Sequence, residues 1–154
     1  MRTKTLASIT VSAAAIVLIA CGKAPGEKAP EAEASQQPAA QSTATLERDW
    51  ALVMLGDSAA PLGAGGKPAT IRFDSAAKRA AGFAGCNQYS ATFIMAGDSL
   101  HFGPAISTKM ACAEGDSLER AFLSIIPEVS SYQATDSTLT LAGSSGLLAR
   151  FRAQ

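Results

Sequence analysis

Apolar residues alternate with polar ones along most of residues 46–154, in short runs separated by Gly, Pro, Asn and Asp. Alternation with a period of two is typical of strands that bury one face, and Gly or Pro at the breaks predicts tight turns. Eight strands are predicted in this way, over residues 50–55, 70–73, 78–84, 88–95, 99–102, 129–134, 138–141 and 147–151. The chain therefore has to build its core from short antiparallel strands.

One segment changes the period from two to about 3.6. Apolar side chains recur at helical spacing from Leu118 to Ile126, and Pro127 ends the predicted helix. Asp116 is predicted to be its N-cap, with Glu119 three residues later to complete a capping box. Eight strands and one helix predict an α+β fold, in which a small antiparallel β-barrel-like sheet carries one packed α-helix.

The first twenty residues have the pattern of an export signal. Residues 1–5 carry two positive charges, and residues 6–20 are apolar or small hydroxyl residues. This apolar stretch is too short for a membrane-spanning helix, which needs about 20 residues, so residues 1–20 are predicted to be a cleaved signal peptide.

The segment Leu18-Ile19-Ala20-Cys21 resembles the bacterial lipobox. That resemblance implies a lipidated (diacylated and N-acylated) Cys21 at the mature amino terminus, and several acyl chains hold a protein firmly on a membrane. Gly22 follows where Asp would favour the inner membrane, so in a Gram-negative host the sorting rule implies the outer membrane, facing the periplasm. The alternative is an ordinary secretory signal in which Cys21 is incidental.

Residues 21–45 are predicted to be the lipidated cysteine and a tether. Residues 22–45 contain Ala, Pro, Glu, Gln and Ser but no large apolar side chain. Such a segment buries too little surface to offset its conformational entropy, so disorder is predicted. Residues 46–154 are predicted to form one folded domain.

Composition excludes several functional classes. The 13 basic residues balance 13 acidic ones without a basic cluster, which predicts no nucleic-acid partner. One His and three Cys are too few for most zinc sites, so no metal and no cofactor are predicted. Ser107 or Ser124, with His101 and Asp98, supply the residue types of a catalytic triad. The chain has no Gly-x-Ser-x-Gly elbow, however, and it is predicted not to be an enzyme.

Two short motifs contain the cysteines of the folded domain. The first motif is GFAGCNQY, residues 82–89, and the second is ISTKMAC, residues 106–112. They resemble the two signatures of the META domain family, which includes the bacterial heat-shock protein HslJ, and the resemblance covers nearly all of residues 47–152. It implies a compact α+β or barrel-like fold in the bacterial envelope and a link to stress or antibiotic tolerance, without an established enzyme activity.

Cys86 and Cys112 form an even pair if Cys21 is lipidated. Because exported chains meet an oxidising compartment, the pair is predicted to form a disulfide between the turn at residue 86 and the segment before the helix. Two free thiols, or a redox or metal role, are the alternatives, although Cys-x-x-Cys spacing is absent. The other motif residues are interpreted as shaping turns and packing, with contact to a partner as the alternative: Gly85, Asn87, Tyr89, Thr108 and Met110.

Three functions remain open at this point. The first is a lipid-anchored, non-enzymatic accessory in envelope stress or antibiotic tolerance, bound to the membrane through Cys21 and to an unknown envelope protein. The second is a carrier that holds a small apolar ligand in the barrel interior. The third is a periplasmic inhibitor of a lytic enzyme. The first is favoured because it accounts for the anchor and the tether together.

Overall fold

The computed structural model describes residues 46–154. The signal peptide and tether predicted over residues 1–45 lie outside the described residues. The strands are β1 Asp49–Leu55, β2 Ser58–Ala59, β3 Thr70–Asp74, β4 Arg79–Phe83, β5 Gln88–Ala96, β6 Ser99–Phe102, β7 Ile106–Ser107, β8 Ser131–Ala134, β9 Thr138–Gly143 and β10 Gly146–Ala153. The helix α1 spans Asp116–Ile125, and short 3₁₀ turns occur at Ala64–Gly66 and Ile126–Glu128.

Eight of these strands close into an antiparallel barrel. Their order around it is β1, β3, β4, β5, β6, β8, β9 and β10, and β10 pairs with β1 to complete the circle. The two-residue strands lie beside this path, β2 paired with β1 and β7 paired with β5. The predicted α+β barrel-like fold is therefore confirmed.

The core fills the inside of the barrel. Along β3, Ile71 and Phe73 are buried whereas Arg72 and Asp74 are exposed, which is the alternation expected of a strand with one wet face. The largest fully buried side chains come from three strands and the helix, and they are Trp50, Phe73, Phe122 and Phe151. Aromatic rings thus occupy the interior.

Helix α1 packs one apolar face against the barrel. Its Phe122 ring meets Tyr89 edge-on with the centroids 5.3 Å apart, and it meets Phe151 in the same way at 6.2 Å. Leu118, one turn earlier, is also buried. The helix therefore packs against both β5 and β10.

The predicted N-cap of this helix is wrong by one residue. Gly115 is the N-cap, with φ near +90°, and no side chain caps the helix. Asp116 is the first helical residue, and its carboxylate pairs with Arg120 one turn later. Glu119 does not form a capping box, because its carboxylate instead accepts hydrogen bonds from Asn87.

Candidate functional site: the junction of the two cysteine motifs

Cys86 and Cys112 are joined in a disulfide, as the sequence predicts. They lie 26 residues apart in the chain, with their Cα atoms 5.9 Å apart. Cys86 belongs to the connection between β4 and β5, and Cys112 to the segment that leads from β7 into α1. The bond therefore ties the first motif to the second at the start of the helix.

Asn87 links the same two motifs by hydrogen bonds. Its Oδ1 accepts from the Thr108 hydroxyl at 2.9 Å and from the Met110 backbone N–H at 2.8 Å. Its Nδ2 donates to the Met110 carbonyl at 3.2 Å. Only 4% of Asn87 is exposed, and among the described residues it is the one buried side chain that carries an amide or a charge. A buried amide of this kind is stable only when such partners satisfy it.

Helix α1 contributes a third segment to this junction. Glu119 accepts the backbone N–H of Asn87 at 2.6 Å through one carboxylate oxygen and Asn87 Nδ2 at 3.2 Å through the other. Hydrogen bonds to an ionised group are stronger than those between neutral groups. Asn87 therefore joins β5, the second motif and the helix.

Three glycines allow the backbones to approach closely at this junction. A Cβ on Gly85 would lie 2.9 Å from the Gly115 carbonyl oxygen and from Leu118 Cγ. A Cβ on Gly63 or on Gly115 would overlap the Gly85 backbone. Gly85 also has φ near +125°, a conformation that L-residues with a side chain rarely adopt. The loop before β3, the first motif and the helix start thus meet where no side chain fits.

Tyr89 anchors the junction to the barrel wall. The side chain is buried, its hydroxyl donates to the Thr70 carbonyl at 3.2 Å, and its ring packs against Phe122. Burial raises the pKa of the Tyr89 hydroxyl well above its ordinary value of 10, because the phenolate would lose its hydration. Tyr89 is therefore a neutral hydrogen-bond donor in the folded domain.

The structure brings together the candidate residues of the two motifs. Gly85, Asn87 and Cys86 lie in one turn, and Thr108 and Met110 reach it by hydrogen bonds. Met110 differs from the expected packing role, because its side chain is 66% exposed and only its backbone takes part. Cys21 lies outside the described residues.

Sequence reasoning missed three junction residues. Gly63 lies well before the first motif, whereas Gly115 and Glu119 follow the second motif closely. The contacts of all three with the first motif depend on tertiary structure. The only sequence signal for the glycines is that each occurs in a predicted loop. A glycine in a loop is ordinarily explained by a turn, so close approach cannot be distinguished from it.

The described part of the chain offers few groups for a metal site or a catalytic triad. No group of three His, Cys, Asp or Glu side chains suitable for a metal ion occurs in residues 46–154. Within this range no hydrogen bond joins His101 to Ser107 or Ser124, and the Ser124 hydroxyl donates to the Ala121 carbonyl instead. None of the helices in this range has the length and apolar character needed to cross a bilayer.

The barrel, the Cys86–Cys112 disulfide and the buried Asn87 amide define a class of small antiparallel barrels whose connecting segments are tied together at one junction. The family model of the META domain matches residues 43–154, and the chain belongs to this family. Both cysteine motifs fall within that match, so the resemblance seen in the sequence is confirmed.

Solved structures similar to the chain include two NMR structures. One is an NMR structure of a protein from Burkholderia xenovorans, with 26% sequence identity and a TM-score of 0.60, covering 83% of this chain and 98% of that one. The other is also an NMR structure, with 19% identity and a TM-score of 0.54, covering 70% of this chain and 90% of that one. At 19% identity, the similarity to the second structure supports the fold alone. No curated protein sequence matches the chain.

Proposed function

We propose that the protein is a lipid-anchored member of the META domain family that acts in the bacterial envelope through contacts with another protein. In this proposal Cys21 carries the acyl chains, residues 22–45 hold the domain off the outer membrane, and residues 46–154 face the periplasm. The protein serves there as a non-enzymatic accessory in envelope stress or antibiotic tolerance. The lipobox-like segment Leu18-Ile19-Ala20-Cys21 and the family resemblance support the anchor and the setting.

The hydrogen bonding at the junction favours a role in protein contact over a catalytic one. The polar groups that the two motifs place together are engaged with one another: Asn87 bonds to Thr108, Met110 and Glu119. A catalytic group needs an open position beside it for the reacting atom. Since the motif contacts are internal, we assign the motifs to stability and the function to the outer surface of the barrel.

The interior gives no comparable support to the carrier hypothesis. A carrier would hold its apolar ligand inside the barrel, where the rings of Trp50, Phe73, Phe122 and Phe151 lie fully buried. Small barrels are commonly filled by their own side chains in this way. The inhibitor hypothesis shares the contact mechanism, and the identity of the captured partner separates it from an accessory role.

Two measurements test the proposal. The intact mass of the mature wild-type protein is expected to equal that of a chain beginning at Cys21 plus its acyl groups. The Cys21→Ser variant serves as the control, since it lacks the thiol that the first acyl group needs, and it is expected to leave the membrane fraction. Chemical cross-linking in intact cells is then expected to yield one defined adduct in wild type and less of it in Cys21→Ser.

A mature mass without acyl groups would overturn the anchor. Defined anchoring without any protein adduct would overturn the contact mechanism and leave the anchor standing. An adduct with a lytic enzyme whose activity falls upon binding would replace the accessory role by the inhibitor role.

A further inference from the structure

A shallow groove crosses the outer face of the barrel beside the junction. One cavity of about 480 Å³ and a second of about 310 Å³ open there, and Gln88 lines both of them. We call this surface the outer groove and define it by Lys67, Pro68, Thr70, Phe83, Gln88 and Ile106. Because Gln88 is shared, the two cavities are adjacent and form one surface.

Strand pairing explains why these side chains share a face. Phe83 on β4 pairs with Gln88 on β5, and the Phe83 backbone N–H donates to the Thr70 hydroxyl on β3 at 3.0 Å. On the other side, Ser90 of β5 pairs with Ile106 of β7. Side chains of directly paired residues lie on the same face of a sheet. The outer groove therefore runs across β3, β4, β5 and β7.

The groove has an apolar floor that water reaches. Ile106 is 67% exposed, and Phe83 is half-buried on the outside of β4. Exposed large apolar side chains are normal when single, but here Ile106 lies along one depression with the half-buried ring of Phe83. This combination is typical of a surface that contacts another molecule.

Lys67 is the one charged side chain that lines either cavity, and Arg79 lies at the edge of the smaller one. Lys67 lines the larger cavity, and the Arg79 guanidinium donates to the Ser90 hydroxyl, which lines the smaller one, at 3.4 Å. No Asp or Glu side chain lines either cavity. Within residues 46–154 the salt bridges involve other cations, so Lys67 and Arg79 have no carboxylate partner there. The surface is thus complementary to an anionic molecule with an apolar part.

The dimensions favour an extended peptide. Four neighbouring strands span about 14 Å, since adjacent strands lie about 4.8 Å apart, and about four extended residues cover that distance at roughly 3.3 Å each. A small-molecule site would enclose most of its ligand, whereas this groove lies on the outer face of the sheet. An extended chain with acidic residues at its ends fits both the length and the charge.

We propose that the outer groove binds an extended acidic segment of another envelope protein. One acidic side chain of the segment meets Lys67, a second meets Arg79, and an apolar residue between them packs on Phe83 and Ile106. This inference rests on the contact mechanism proposed above and names the surface and the chemistry of its partner.

The test places the photo-crosslinking amino acid p-benzoylphenylalanine at Gln88 in the full-length protein, in its own envelope. The matched control carries it at Gln133, which is exposed on β8. Illumination is expected to give an adduct from position 88 and not from position 133. The cross-linked peptide of the partner, mapped by mass spectrometry, is expected to contain Asp or Glu within about four residues of the attachment point.

Charge reversal provides the second part of the test. The double variant Lys67→Glu, Arg79→Glu is expected to lower the position-88 adduct about tenfold, because like charges across an interface oppose binding. Arg150→Glu, which changes an exposed cation on β10, is expected to leave it unchanged. Urea unfolding of each variant confirms that the domain is still folded.

The outcomes separate the two proposals. Three results would overturn the proposal that the groove binds an acidic segment. They are equal adducts at positions 88 and 133, a cross-linked peptide that is neutral or basic, and a position-88 adduct whose yield the charge reversal leaves unchanged. A protein adduct at position 133 alone would overturn the groove and leave the contact mechanism standing. Capture of lipid in place of protein at position 88 would also overturn the peptide assignment. Absence of protein adducts at both positions, together with none from chemical cross-linking, would overturn both proposals.

Discussion

Asn87 is nearly fully buried, and its amide contacts segments 21 to 32 residues away along the chain. A buried polar group of this kind favours one arrangement of the chain, because any other arrangement leaves its donor and acceptor unsatisfied. From the sequence, an Asn between two strands predicts a turn. Its actual partners, Thr108, Met110 and Glu119, come from distant segments, so local spacing does not reveal them.

Replacing Asn87 by Ala is expected to lower the free energy of unfolding by about 2–3 kcal/mol, because several hydrogen bonds disappear and the Met110 backbone loses its partners. Urea unfolding followed by circular dichroism measures the change. Thr108→Val is the control, since it removes one of these bonds and is expected to cost about 1 kcal/mol. Equal losses in the two variants would contradict a central role for Asn87.

Gly85→Ala tests the close approach of the backbones. Its φ near +125° and the crowding by Gly115 and Leu118 are expected to cost at least about 3 kcal/mol. Gly97→Ala is the matched control, because Gly97 also has positive φ, near +60°, but nothing lies within 4 Å of its added Cβ. It is expected to cost about 1–2 kcal/mol. Similar urea midpoints for the two variants would show that crowding does not matter.

Tyr89 gives a prediction for alkaline pH. The folded-state pKa is raised above the unfolded value of 10, so the unfolded chain releases its proton first as the pH rises. The contribution of Tyr89 to stability is therefore complete below pH 10 and falls above it, by up to about 1.4 kcal/mol per pH unit. Tyr89→Phe is expected to have a smaller slope between pH 10 and 11 in urea unfolding. Identical slopes in wild type and variant would refute this assignment.

Elements with enough residues to show a period are the ones that the sequence predicts well. The alternation in β3, β5 and β6 gives their positions within one or two residues. The two-residue strands β2 and β7 were missed, since two residues cannot display a period. The predicted start of α1 is wrong because the N-cap is Gly115, which is left-handed and has no capping side chain, and Asp116 is the nearest residue of the usual capping type.

The disulfide constrains the segment between β7 and α1, and its removal is expected to destabilise the domain. For a loop of about 27 residues the chain-entropy model gives about 3.5 kcal/mol. Urea unfolding with and without a reductant measures this loss. The double variant Cys86→Ala, Cys112→Ala is the control, and its midpoint is expected to be low and insensitive to the reductant. A reductant effect that persists in the double variant would point to another cause.

Closure of the barrel makes the whole domain depend on both ends of the folded region. Strand β1 pairs with β10, placing Trp50 opposite Ala153 and Leu52 opposite Phe151. Leu46, before β1, is fully buried, and its carbonyl accepts the indole N–H of Trp50 at 3.1 Å. The ladder that closes the circle therefore joins residues about a hundred positions apart, and folding is expected to be a single cooperative transition.

The boundary of the domain follows from this closure. A fragment of residues 43–154 is expected to have the same urea midpoint as the full-length protein, because it keeps Leu46 and the whole barrel. A fragment of residues 49–154 keeps every strand but loses Leu46, and it is expected to be less stable by about 3 kcal/mol, the usual cost of removing a buried leucine side chain. Circular dichroism during urea unfolding compares the three chains. Equal midpoints for the two fragments would show that Leu46 does not belong to the cooperative core, whereas a lower midpoint for residues 43–154 than for the full chain would place the boundary nearer the amino terminus.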